Sequence, residues 1–171
     1  MSELRIWFAA RDPYHCAFRM IRILNQKRGP IPLDRLRLLD MFLMYPSLAH
    51  RLKLPQEVRE RMRAVRIPAP KDSFVQLPGT ASIWQDLQLY QSAAVKQLAG
   101  RGLLDRKSLH NSYASLDFDH VPQSILIRAT AENNTQLQLM SFLVNDLGSL
   151  PLDGTDNIFK RAGLPARGPI A

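Results

Sequence analysis

Between Pro32 and Pro46 the chain reads Leu-Asp-Arg-Leu-Arg-Leu-Leu-Asp-Met-Phe-Leu-Met-Tyr. Wound as a helix through about Met44, this run puts Leu36, Leu39 and Leu43 in one stripe. Leu38 and Phe42 widen the stripe until apolar side chains take more than half the circumference. Pro32 and Asp34 favour starting the helix, and Pro46 stops it. A helix so apolar does not stand alone in water; it is buried in a core or in an interface. Leu36, Leu39, Phe42 and Leu43 are therefore the candidate partner interface, and the rest of the chain is read for what covers them.

The flanking segments are mostly helical. Asp12-Pro13 opens a helix that carries Tyr14, Ala17, Phe18, Ile21 and Leu24 at helical spacing, with His15, Arg19 and Arg22 towards the opposite side. Gly29-Pro30 stops it. A short third helix from about Gln56 to Val65 keeps Val58, Met62 and Val65 together, with Arg59, Arg63 and Arg66 beside them. Three prolines and Gly79 mark a crossing over residues 68–80. A long helix follows, roughly Ser82 to Ala99, which Gly100-Arg101-Gly102 closes. Leu103-Leu104, a polar stretch from Lys107 to Ser112, and the apolar Tyr113, Leu116 and Phe118 then read as strand, turn and strand. Pro122 starts a segment in which Ile125, Leu126 and Ile127 fit either a strand or a buried helix. A final helix is expected from about Asn134 to Leu147, with Leu137, Met140, Val144 and Leu147 inward. The residues before Asp12 hold a short strand-like run (Leu4, Ile6, Phe8), and Pro165 to Ala171 is expected to fray.

Helix, glycine cap, strand, polar turn and strand is the order of a winged helix-turn-helix, whose hairpin is the wing. The expected fold is mainly α and winged-helix-like with a small β hairpin. Residues 1–171 are read as one domain: a basic helical part (1–67), the proline-rich crossing (68–80), and a helix with wing and C-terminal helix (81–171).

Charge is the other uneven feature. The formal net charge is +8, and residues 1–67 hold 14 Lys and Arg against 6 Asp and Glu, while the remainder is balanced. Most of these cations are arginines, whose planar fork suits phosphate or carboxylate. Arg19, Arg22, Arg35, Arg37, Arg59, Arg63 and Arg66 are therefore expected to form a face for DNA or for an acidic partner.

Catalytic chemistry is not legible. Asp117, Asp119 and His120 read as the charged end of an edge strand rather than a metal site. His15 and Cys16 are adjacent on a helix and point about 100° apart, a poor geometry for proton transfer. Ser108, His110, Ser112 and Ser115 lack a nucleophile elbow, and no phosphate-cradling glycine loop is present. Trp7, Trp84, Tyr14, Tyr45 and Tyr90 read as core. A lone cysteine forms no internal disulfide, and no apolar run reaches the length of a membrane span. The chain is expected to be cytoplasmic and non-enzymatic, with no cofactor, no metal and no membrane contact.

Two stretches carry a family resemblance. One is Ala10-Arg11-Asp12-Pro13-Tyr14-His15-Cys16-Ala17-Phe18-Arg19, followed by the run from Arg35 to Leu48. The other is Leu150-Pro151-Leu152-Asp153-Gly154 leading into Phe159-Lys160-Arg161-Ala162-Gly163-Leu164. Together they resemble the middle components of bacterial three-component ABC ATPase systems, which include the Lamassu-type defence operons. The resemblance implies a small winged-helix-like accessory subunit. Its partners would be an ATPase of the structural-maintenance-of-chromosomes (SMC) type and an effector, often a nuclease. The alternative is a stand-alone winged-helix DNA-binding transcriptional regulator.

Overall fold

The computed structural model describes residues 9–69 and 76–165. The strand expected over Leu4, Ile6 and Phe8, together with Trp7, Pro70 and all but the first residue of the closing segment, lies outside the described residues.

The helix that organises the chain is the first one. Helix α1 (Pro13–Lys27) starts as its sequence demands: the Asp12 carboxylate accepts the backbone N–H groups of Tyr14 (2.8 Å) and His15 (3.5 Å), and proline occupies the first turn. Its left-handed cap falls one residue before the expected glycine, on Arg28 (φ 56°), whose guanidinium lies over the Phe118 ring. α1 packs against α2 (Leu33–Met44), α4 (Thr80–Gly100) and α6 (Gln123–Thr135). Being covered on several sides, it buries Cys16, Ala17, Met20, Ile21, Ile23 and Leu24.

Helix α2 is as buried as its sequence requires, since Leu36, Leu38, Met41 and Phe42 are each 0% exposed. Between them α1, α2, α4 and the segment from Met140 to Leu147 build one apolar cluster, to which Leu150, Leu152, Ile158 and Phe159 of the C-terminal part also belong. Helix α3 (Gln56–Val65) differs. Met62 is its buried residue, so it rides on the outside of the scaffold.

The long α4 closes as the glycines predict. Gly102 takes φ +70°, its N–H reaches the carbonyl of Ala99, and Leu103 N–H reaches that of Leu98. That pair of bonds is a Schellman cap, which needs a residue tolerant of positive φ at this position.

The β structure departs from the expected hairpin. The two-stranded antiparallel sheet pairs β1 (Ile31–Pro32) with β2 (Tyr113–Ala114), so the short segment between α1 and α2 supplies one strand. Leu104 and Leu116 form a separate antiparallel bridge, and Lys107–Ser112, expected as a polar turn, is largely helix α5 (Arg106–His110). The reason is local: Asp105 accepts the Ser108 backbone N–H (2.7 Å), a side-chain cap that favours a helical turn. The fold is mainly helical with this small sheet.

Three further expectations are corrected. Ile125, Leu126 and Ile127 are helical, and Ile127 is exposed, because α6 turns only Ala129 and Asn133 fully inward. The last long helix begins at α7 (Leu137–Ser141), continues through a π-helical turn over Phe142–Asp146, and ends in a 3-10 turn. Leu137, expected inward, is exposed, while Met140, Val144 and Leu147 are buried. Tyr14, expected in the core, is 65% exposed. No helix among the described residues is long and apolar enough to cross a membrane.

Candidate interaction surface

The seven candidate arginines separate into three groups. Arg19 and Arg22 are not on the surface: they are 6% and 7% exposed. Because α1 is covered on its polar side too, each must find a partner inside the protein. Arg19 donates from Nε to Asp40 Oδ1 (2.7 Å) and from Nη2 to Oδ2 (3.3 Å). Asp40, fully buried on α2, also accepts from Gln91 Nε2 (2.9 Å) on α4. Burial alone would lower the Arg19 guanidinium, but the charge and hydrogen bonds of Asp40 outweigh it and hold Arg19 above its ordinary value. Cys16 lies against the same carboxylate (Sγ–Oδ2 3.5 Å), and burial pushes its thiol well up. It is a buried thiol, and His15 beside it is exposed.

Arg22 ties α1 to α6. Its Nε donates to Asn133 Oδ1 (3.0 Å), Nη2 to Gln136 Oε1 (2.7 Å), and Asn133 returns a bond to the Arg22 carbonyl (3.0 Å). Neither buried arginine can form part of an outward face.

Arg35 and Arg37 on α2 are half-buried and engaged. Arg35 donates to the Gly148 carbonyl. Arg37 stacks over Trp84 (4.9 Å to the ring centre), reaches Gln91 Oε1 (3.3 Å) and lies 3.7 Å from Asp34. Burial pulls Arg22, Arg35 and Arg37 below the ordinary arginine value, yet an arginine remains a cation at any working pH.

The remaining three stand out in solvent. Arg59, Arg63 and Arg66 are exposed on and just after α3. Their spacing of four and three residues places them along one side of α3, within about 60° of one another. Arg59 donates from Nη2 to the Leu54 carbonyl (3.0 Å), and Arg66, the residue that ends α3, adopts φ 56°. Among the described residues none of the three forms an ion pair. The helix under them is fixed by Met62 and by the Arg61–Asp146 ion pair, which joins it to the π-helical turn.

The other half of the site prediction is also corrected. Leu36, Leu39, Phe42 and Leu43 are between 0% and 7% exposed, covered by the chain's own helices, so none is presented to a partner. Asp117 and Asp119 do not share a strand face. The strand run ends at Leu116, residues 118–120 form a turn, and His120 Nδ1 lies 2.9 Å from Asp117 Oδ2.

With this geometry in view, comparison with known proteins is informative. The model of the family described as ABC-three component (ABC-3C) system Middle Component 5 matches residues 5–167. The chain belongs to that family. It is a middle component of an ABC-3C system, and membership implies partners among the other components of that system. No curated protein and no solved structure matches the chain. Both stretches that carried the resemblance lie within the match. In the middle component they are structural: Asp12 and Pro13 start the central helix, and Phe159 buries its ring against Trp84 (centroids 5.6 Å, edge to face).

One buried residue that the sequence reading did not single out is central to this arrangement. Asp40 sits among the buried apolar residues of α2. A lone carboxylate in such a stripe signals a buried cation partner, because an unpaired charge there would be prohibitively costly.

Proposed function

We propose that this middle component is a non-enzymatic accessory subunit of a bacterial antiviral defence complex, and that it joins an SMC-like ATPase to an effector nuclease. In the assembled complex its Arg59, Arg63 and Arg66 stripe meets DNA phosphates. The observation that carries the reading is that stripe: three exposed guanidinium groups on a helix that turns Met62, with the half-buried Val58 and Val65, towards the core. With its apolar residues on one side, α3 presents the other side to solvent, and arginine offers two parallel donors to each phosphate.

The winged-helix reading draws support from chain order. One strand follows α1, Leu104 bridges Leu116 after α4, and β1 pairs with the strand nearest that bridge. Helix α5 stands where the wing was expected and residues 45–79 separate α2 from α4, so the reading rests on that strand order alone. A stand-alone regulator has no observation in its favour, since the family is defined by a multi-component system.

Co-expression with the ATPase and effector encoded beside it tests the proposal. The three proteins should purify together, and DNA retention by the complex should fall steeply between low and moderate salt. Replacing Arg59, Arg63 and Arg66 by Glu should abolish that retention. Failure of the middle component to co-purify with either protein would refute the adaptor role. Loss of the protein complex, rather than of DNA, in the triple variant would assign the stripe to an acidic protein surface instead.

A further inference from the structure

A second surface lies apart from the arginine stripe. The start of α1, the end of α4 and the start of α6 enclose an open groove of about 520 Å³. Its walls are apolar: Phe18 and Ile21 from α1, Leu98 from α4 and Ile125 from α6. Tyr14, 65% exposed, stands at one end. The rim is cationic. Arg101 and Arg128 border the groove and are exposed, and neither forms an ion pair among the described residues. The Arg128 guanidinium lies over the Phe18 ring, 5.1 Å from its centre, so the ring supports it by cation–π attraction while its edge stays open to a carboxylate. Among the described residues no carboxylate lines the groove.

We infer that this groove docks an acidic amphipathic helix presented by another component of the same system. Three features select that occupant. Along α1 the wall runs from Tyr14 through Phe18 to Ile21, about 10.5 Å at the rise of a helix, which matches anchors at i, i+4 and i+7 on an incoming helix. The floor takes apolar anchors, which gain by leaving water. The rim, with two arginines and no acid among the described residues, takes Asp or Glu beside those anchors and disfavours Lys or Arg. The source of the helix rests on membership in a three-component system. The groove itself does not depend on the arginine stripe of α3, and its test separates the two.

The full chain is titrated with a synthetic amphipathic peptide of about four helical turns, bearing Leu at i, i+4 and i+7 and Glu on either side. A control peptide carries Lys in place of Glu. The Glu peptide should bind saturably and the Lys peptide should not. Arg101→Glu with Arg128→Glu should weaken the Glu peptide about tenfold or more and bring in the Lys peptide. Ser124→Trp, a bulky ring on an exposed groove position, should block the Glu peptide. Arg59→Glu with Arg63→Glu and Arg66→Glu should leave peptide binding unchanged. In co-expression, Ser124→Trp should release one of the other two components. Equal binding of the two peptides, or indifference to Ser124→Trp, would overturn the inference. So would a dimer in sedimentation that Arg101→Glu/Arg128→Glu dissolves, since the groove would then hold a second copy of this chain. If a variant fails to fold by circular dichroism, the preference of the unaltered chain between the two peptides decides the matter alone.

Discussion

Asp40→Ala is the substitution whose cost follows most directly from the structure. Asp40 is 0% exposed, and its partner Arg19 keeps only 8% of its side-chain surface. Removing the carboxylate leaves the Arg19 guanidinium among α1, α2 and α4 with the Ala9 carbonyl at 3.4 Å as its acceptor among the described residues. Gln91 loses less, because its Nε2 retains the Arg37 carbonyl at 2.8 Å. Breaking a buried ion pair from one side costs about 3–5 kcal/mol. That is a large share of the roughly 5–15 kcal/mol that holds a domain together. For a chain of this length, each kcal/mol lowers the midpoint by about 2–4 °C, so melting should fall by about 6–20 °C. Replacing both partners, Arg19→Met with Asp40→Leu, should recover most of that loss, since an apolar pair of similar volume needs no solvation. Urea unfolding followed by circular dichroism measures both variants against the unaltered chain. A single-variant cost below about 1 kcal/mol would mean that the pair behaves as a surface pair. A double variant no better than Asp40→Ala would show that the loss is not an orphaned cation. Either result would refute the placement of Arg19 inside the fold.

Other consequences are simpler to check. Leu39→Asp sets a carboxylate at a position 1% exposed, with no cation assigned to it, and should abolish soluble folded protein; Leu39→Ala should fold and lose about 2–5 kcal/mol. Asn133→Leu removes the acceptor of Arg22 Nε and should loosen α6 first, seen as faster amide exchange over Gln123–Thr135 than elsewhere. Uniform acceleration over the chain would contradict that. Hydrogen bonds from Ser108 hold the Asp105 carboxyl below the ordinary carboxylate range. A depressed folded value means that the cap contributes fully above the unfolded value and is lost as pH falls through the folded one. Titration of the Ser108 amide by NMR should therefore show a low midpoint that vanishes in Asp105→Asn.

Helix starts and stops were legible because they rest on neighbours: Asp12-Pro13 before α1, and the glycines after α4, act within a few residues. The apolar stripe of α2 likewise declared its own burial, although not what covers it. The buried arginines were not legible by the same means. Arg19 meets a carboxylate 21 residues away, and Arg22 meets an amide 111 residues away. Periodicity along one helix gives the polar side of α1 but not whether α6 or α2 lies on it. Arg59, Arg63 and Arg66 were legible as exposed because α3 has apolar residues on one side only. Strand β1 escaped notice because two residues, one of them proline, carry no alternation to detect. Helix α5 did carry a readable sign in Asp105, the side-chain cap that turns a polar loop into a helical turn.

The most direct test of the account is the salt dependence of DNA binding by the assembled complex, with and without Arg59→Ala, Arg63→Ala and Arg66→Ala. Each phosphate-neutralising arginine contributes roughly 0.9 to the slope of log K against log salt. The slope should be shallower by about three in the triple variant, with the complex intact and the melting temperature unchanged. An unchanged slope and affinity would contradict it.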